Sequence, residues 1–255
     1  MFWSNHSGTV SVSAGIMSHA QPELPASTVA PPLAQSRIRT GAPAIVEVIG
    51  DCRTVGYVVA DAAEMTPATM AFIVDLSDGF VCVAMEGAAL DRLALPPMTD
   101  LNESSDGLDF AVSVDASDVE TTGISARDRA TTVRRLADPA TTADMLSRPG
   151  HVLPVRVSAR AKTHPITSAD AALAAAARAG CSHAAVFAAV LGPHGEIATH
   201  HELSEIATRC AIEHLSVRLH TVGDVCATFS TGNGRYRIYE YHADGITRVA
   251  VTKFG

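Results

Sequence analysis

V-S-V-D-A-S-D-V-E-T-T-G-I-S-A-R-D-R-A-T-T-V-R-R-L-A-D-P-A-T-T-A-D-M-L-S-R-P-G runs from Val112 to Gly150, and His151 follows it. Val112, Val114 and Ala116 alternate with Ser113 and Asp115, the period of a half-buried strand. Thr121-Thr122-Gly123 breaks that period as a turn does. Ser125 then caps a helix whose third residue is Asp128, a short form of the capping box. Ala130, Val133, Leu136 and Ala137 follow at helical spacing, and Pro139 closes the segment. The Thr-Thr-Gly-x-Ser loop offers backbone N–H groups, small hydroxyls and a helix N-terminus to an anion. A plain capped helix explains the same residues and is the favoured physical reading.

Outward from this stretch, the chain alternates strands and helices. Ala44–Ile49 reads as a buried strand, and Ile38–Gly41 as the end of a short helix. Thr66-Pro67-Ala68 opens a helix with Pro in its first turn and Met70, Ile73, Val74 and Leu76 on its apolar face. Phe80–Met85 reads as a buried strand, Glu86–Leu93 as a helix ended by Pro96-Pro97, and Leu101–Leu108 as a polar loop. Val152–Val157 is a further strand. Ser168–Gly180 is an Ala-rich helix closed by Gly180. Ala184–Leu191 is a core strand turning at Gly192-Pro193-His194-Gly195. An amphipathic helix over Glu202–His214 and a strand over Val217–Val222 complete the series. The expected class is α+β: a mixed sheet flanked by helices.

Composition narrows the function. The chain has 255 residues, is 47% hydrophobic and carries net charge −8, with 19 basic against 27 acidic residues. Such a balance argues against a nucleic-acid partner. The five cysteines include no C-x-x-C pair, so a disulfide framework or zinc knuckle is not expected and a reducing cytoplasm is. No apolar run reaches the ~18 residues of a membrane span, and the N-terminus does not read as a secretory signal. Residues 1–36 are rich in Ser, Ala, Pro and His without a period and read as a flexible extension.

The segment T-T-G-I-S-A-R-D-R-A-T-T, followed by L-A-D-P and R-P-G-H-V-L-P, resembles 3,4-dihydroxy-2-butanone-4-phosphate synthase. Gly79-Phe80-Val81-Cys82-Val83 and Leu90-Asp91-Arg92-Leu93-Ala94-Leu95-Pro96-Pro97-Met98 extend the likeness, which covers Gly41 to Thr231. The resemblance implies a synthase-like domain over 37–228 and a lyase scaffold. The family turns ribulose 5-phosphate into the four-carbon precursor of riboflavin and formate, with Mg²⁺ or Mn²⁺. It also implies a homodimer whose sites are shared across the interface. Residues 229–255 resemble the opening strands of GTP cyclohydrolase II, a truncated β-hairpin remnant.

The family's functional residues are carried over position by position. Its acidic loop, D-D-E-D-R-E-N-E-G-D, falls on Ile49–Val58, where only Asp51 and Arg53 keep their character. The metal-binding glutamate corresponds to Thr54, and the loop's closing Gly-Asp to Tyr57-Val58, a register set by Ala62-Ala63-Glu64-x-Thr66. The segment R-x-G-H-T-E falls on Pro165–Asp170, so the metal-binding histidine is Ser168, and the phosphate-binding arginine and threonine are Pro165 and Ala169. The late acid–base glutamate is Ala189, while His151 matches a catalytic histidine. Neutral hydroxyls do not replace a carboxylate and an imidazole on Mg²⁺. The resemblance therefore implies a pseudoenzyme with no metal cofactor, a homodimer or a heterodimer partner of an active paralogue. The alternative is an enzyme with altered chemistry on a sugar phosphate or related small molecule.

The retained candidates are His151 for acid–base work and Arg53, Asp51, Thr122 and Ser125 for a phosphorylated ligand. Arg129 reads as a support of the loop, and Cys82 as a core residue. Asp51 and Asp170 form a carboxylate pair only if they meet in space. His164 lies four residues before Ser168. His194, His200 and His201 have a spacing that fits no rigid metal motif, so solvated loop histidines are the favoured reading.

Overall fold

The computed structural model describes residues 41–50, 54–104, 106–157, 167–180 and 184–219, and the backbone of 224–231, 234–243 and 246–254. The extension over 1–36, the helix end before Gly41, and Asp51, Arg53, His164 and Pro165 lie outside the described residues.

The eight-stranded sheet is built around β3 (Cys82–Glu86) and β7 (Ala184–Ala189). Beyond β3 lie β6 (Leu146–Val157) and β4 (Asp109–Phe110), with β5 (Val114–Ala116) also paired to β6. Beyond β7 lie β2 (Thr54–Asp61), β1 (Ala44–Ile49) and β8 (Glu213–Arg218). β3 runs parallel to β6 and β1 parallel to β8, whereas β1–β2, β2–β7 and β3–β7 are antiparallel. The sheet is thus mixed, as its sequence pattern predicts.

Its central strands are covered on both faces, so they read as continuous apolar runs rather than alternating ones. One face presents Ile45, Val58, Ala60, Val83, Met85 and Val186. It packs with residues of α1 (Pro67–Ser77), α2 (Gly87–Arg92), α3 (Ala126–Ala137) and α5 (His200–Cys210). The other face presents Val46, Val48, Val59, Ala84, Ala185 and Phe187 to α4 (Ser168–Arg178). Every residue of α4 from Ser168 to Ala176 is buried, which its alanine-rich sequence permits.

The starts of α1 and α3 follow the signals read from sequence. Thr66 caps α1 ahead of Pro67, and Ser125 Oγ accepts from the Asp128 N–H at 3.1 Å. Thr167 caps α4 in a full capping box with Asp170. Replacing Thr167 by alanine should destabilise the fold by about 1 kcal/mol, read as a lower Tm with an unchanged circular-dichroism spectrum.

Several boundaries differ from expectation. The helix placed over Glu202–His214 starts at His200 and stops at Cys210, where Ala211 takes a left-handed conformation (φ 52°). The chain then enters β8 at Glu213, so His214 is a strand residue. Strand β6 begins at Leu146 rather than Val152, because it also pairs with β5. Phe80 precedes β3 and is 58% exposed, not buried, with its ring edge-on to Phe110 at 6.2 Å. Where a hairpin was expected over 229–255, three antiparallel strands run: β9 (Asp224–Thr231), β10 (Gly234–Ala243) and β11 (Ile246–Phe254). Among the described residues no helix is long and apolar enough to cross a membrane.

Candidate functional site

The organising stretch folds back on itself around one carboxylate–histidine pair. Asp115, at the centre of β5, is buried. Its Oδ1 accepts the His151 backbone N–H at 2.9 Å, and its Oδ2 lies 2.7 Å from His151 Nδ1. A carboxylate only accepts, so Nδ1–H donates and Nε2 of the neutral ring remains a base. The His151 side chain is 38% exposed, so a ligand can reach that ring. Asp115 was read from sequence only as the polar member of an alternating strand; its partner lies 36 residues away.

Two glycines permit this contact. A Cβ on Gly123 would stand 2.1 Å from Asp115 Oδ2 and 2.8 Å from His151 Nδ1, and its φ of 95° is already in glycine's range. A Cβ on Gly150 would stand 1.9 Å from the Val114 carbonyl carbon, so the R-P-G-H glycine lets β5 and β6 touch backbone to backbone.

The Thr-Thr-Gly loop holds an anion of its own. The buried Asp128 carboxylate accepts from the Glu120 N–H at 3.3 Å, the Gly123 N–H at 3.2 Å and the Thr121 hydroxyl. The Thr121 hydroxyl first, then Ser125 and the Gly123 and Glu120 amides, hold this carboxyl below the usual 3.8 of an aspartate, against the raising effect of burial. Asp128 therefore turns to the loop, not to the cap's own N–H as a capping box would. Thr122 is exposed beside this loop, and Ser125 is occupied by its cap bond. Arg129 is buried and donates to the Gly79 carbonyl at 2.9 Å, which ties α3 to the turn before β3. Burial lowers its pKa, and the Asp115 charge opposes that shift. Thr121 thus serves the loop's own architecture, and Arg129 the docking of α3 on the turn before β3.

Tyr57 pairs with Ala189 across β2 and β7, and Cys82 pairs with both Leu153 and Phe187. Tyr57 packs its ring on Phe187 at 5.9 Å, on the face that α4 covers. Ala189 thus stands opposite Tyr57 on that face.

Ser168, the first residue of α4, is buried, and its Oγ has no hydrogen-bond partner. Thr54 starts β2 and is exposed. It shares strand parity with Gly56 and Val58, which pack towards Leu203 of α5, the face opposite to Tyr57, Ala189 and α4. The structure therefore does not bring Thr54 and Ser168 together, since a shift of one residue along a strand reverses the side a residue faces. Asp170 completes the α4 capping box, its Oδ2 accepting the Thr167 N–H at 3.0 Å, and Asp51 lies outside the described residues. Cys82 is buried, and burial first, with the Asp106 charge second, pushes its thiol up to about 12, as a core cysteine requires.

The three grouped histidines separate. His194 is exposed in the turn, and His201 pairs with Glu205 along α5 at 3.3 Å. His200 turns to Glu47 instead.

The chain is similar to known proteins over most of the main sheet. The family model for 3,4-dihydroxy-2-butanone 4-phosphate synthase matches residues 33–219. The riboflavin biosynthesis protein RibBA of Nocardia farcinica is 38% identical over 159 residues, 62% of this chain and 38% of that protein. RibBA of Mycobacterium tuberculosis (strain ATCC 25177 / H37Ra) is 44% identical over 119 residues, 47% of this chain and 28% of that one. The matches thus span less than half the length of these relatives. Among solved structures, a 3,4-dihydroxy-2-butanone 4-phosphate synthase in complex with two magnesium ions aligns with a TM-score of 0.65 at 27% identity, over 70% of this chain and 88% of that chain. The synthase of Candida albicans aligns at 0.64 and 29% identity, over 72% and 91%.

Proposed function

Because the chain belongs to the 3,4-dihydroxy-2-butanone 4-phosphate synthase family, we propose that it is a divergent riboflavin-pathway homologue lacking the family's Mg²⁺-dependent reaction. In this reading it works by pairing, as a homodimer or as the partner and regulator of an active synthase in the cytoplasm. The observation that carries the reading is the residue set at the family's metal and acid–base positions. Thr54, Ser168 and Ala189 offer two hydroxyls and a methyl, on two faces of the sheet. Mg²⁺ is held by charged oxygens and water, and this set does not fit it. We therefore assign no Mg²⁺ or Mn²⁺ cofactor and derive no step through one.

Loss of a single acid–base group lowers rates by roughly 10²–10⁴-fold, and here the metal ligands are replaced as well. The expected result is direct: the purified full chain, given ribulose 5-phosphate and Mg²⁺, releases no formate above a no-protein control. Turnover at a rate typical of an enzyme would overturn the reading.

A second reading has its own support in the Asp115–His151 pair. An exposed histidine oriented by a buried carboxylate is equipped for proton transfer. On this reading the chain acts on a different sugar phosphate or enediol-like molecule, with Arg53, Asp51, Thr122 and Ser125 as the candidate ligand-binding residues. Stabilisation by a panel of sugar phosphates in a thermal-shift assay supports the altered enzyme. Co-purification with a full-length synthase, without such stabilisation, supports the pairing role.

A further inference from the structure

On the face of the sheet opposite to Tyr57 and Ala189, a carboxylate and two imidazoles converge. Glu47 lies in the middle of β1, between Val46 and Val48, and is buried. A carboxylate in the centre of a sheet is costly unless charge or hydrogen bonds meet it. His200, the first residue of α5, places Nδ1 at 2.8 Å from Oε1 and 2.9 Å from Oε2 of Glu47. His214 on β8 reaches the same carboxylate from the neighbouring strand. β1 and β8 pair Ile45 with His214, so Glu47 is its diagonal neighbour. His214 Nε2 stands 3.2 Å from Glu47 Oε2, yet it is fully buried and too poorly aligned to make a hydrogen bond. The two imidazole rings are 5.7 Å apart, centre to centre.

We propose that Glu47, His200 and His214 form a site for a divalent transition-metal ion of the Zn²⁺ type. The ligand atoms of the three residues all lie within 4.8 Å of one another. Ligands about 2.0–2.2 Å from a tetrahedral ion stand roughly 3.3–3.5 Å apart; His214 Nε2 is near that spacing at 3.2 Å, and His200 Nδ1, at 2.8 Å, would draw back by about half an ångström to admit the ion. Two histidines and one carboxylate suit Zn²⁺ or its first-row neighbours rather than Mg²⁺. Three protein ligands leave a fourth position for water, and the 74% exposure of the His200 side chain opens the cluster to solvent.

An ion accounts for one feature that hydrogen bonding leaves open and adds to what His200 already gives Glu47. It supplies a bond to the buried, misaligned Nε2 of His214, and it neutralises the Glu47 carboxylate within the sheet. Ser204 Oγ lies 3.4 Å from His214 Nδ1, on the side of the ring away from Nε2, as a group supporting a metal ligand does. The ion would join β1, β8 and the start of α5, and so fasten the edge of the sheet. The inference does not depend on whether the family reaction persists, because its residues face the side of the sheet away from Ala189.

The test uses the full chain after chelator treatment. Titration with Co²⁺ should give the visible absorption of a four-coordinate ion, saturating at one equivalent, and Zn²⁺ should displace it. Zn²⁺ should also raise Tm. The double variant His200→Ala/His214→Ala and the single variant Glu47→Gln should each weaken this binding by at least about 100-fold and abolish the Tm rise. His194→Ala/His201→Ala should leave both unchanged. Circular dichroism of the metal-free variants confirms that they fold. No binding by the unaltered chain overturns the site. So does metal bound equally well by folded cluster variants, which would place the ion at other histidines.

Discussion

Gly150→Ala is expected to destabilise the fold by more than about 4 kcal/mol, the range reached by few single substitutions. The added methyl would stand 1.9 Å from the carbonyl carbon of Val114 and 2.2 Å from the Asp115 N atom. Both neighbours are main chain, so no side chain can swing aside. Relief requires β5 to leave β6, which breaks the Val114–Val152 pairing and withdraws Asp115 from His151. Domains of this size have a net stability of about 5–15 kcal/mol, so the variant should lose most of its soluble yield and melt far below the native chain. Chemical denaturation followed by fluorescence and circular dichroism measures the loss. A Gly150→Ala chain with a native midpoint would mean that the β5–β6 contact is looser than described.

Asp128→Ala should have the second-largest effect, because one substitution strands several donors at once. The Thr121 hydroxyl and the Glu120 and Gly123 N–H groups all lose their acceptor. The Gly123 N–H among them is buried, and a buried donor left without a partner carries its full desolvation cost. The 120–124 turn should open and Tm should fall by several degrees, with Asp128→Asn intermediate, since its amide keeps one oxygen. The pH dependence has a definite sign. The folded carboxyl titrates below the ordinary 3.8, so its stabilisation is complete above that value and is lost as pH falls through the lower, folded value. The Tm gap between Asp128→Ala and the native chain should therefore stay constant at neutral and weakly acidic pH, and close below about pH 4. An equally wide gap in strong acid would refute the carboxylate's role.

The parts of the fold that could be read from the chain are those fixed by neighbours in sequence. Strand β1 appeared at its observed limits because A-I-V-E-V-I is a short apolar run between Gly41 and Gly50. α1 and α3 announced themselves through Thr66-Pro67 and through Ser125 with Asp128, whose capping contacts span three residues. The end of α5 gave no such signal. Ala211 bends the chain without glycine, and Ile212 prolongs the apolar spacing of Leu203, Ile206 and Ala207, so the helix read on to His214. Phe80 joined the strand on paper because its exposure depends on what covers the sheet there, which is a matter of distant chain.

The site divides along the same line. His151 and the emptied positions came from aligned residue types, but Asp115, its partner, did not. Thr54 and Ser168 came together as one family metal seat only through the resemblance. Strand parity and the placement of α4 put them on opposite faces.

Residue order by itself determined the class of fold and the starts of α1 and α3, because these depend on local period, local hydrogen bonds and side-chain type. Only the tertiary structure decided which groups meet: Asp115 with His151 across 36 positions, Asp128 with its own loop, and Glu47 with His200 across 153. The reason is geometric. A strand side chain's neighbours are set by register and by the face it presents, and both are fixed by segments far along the chain.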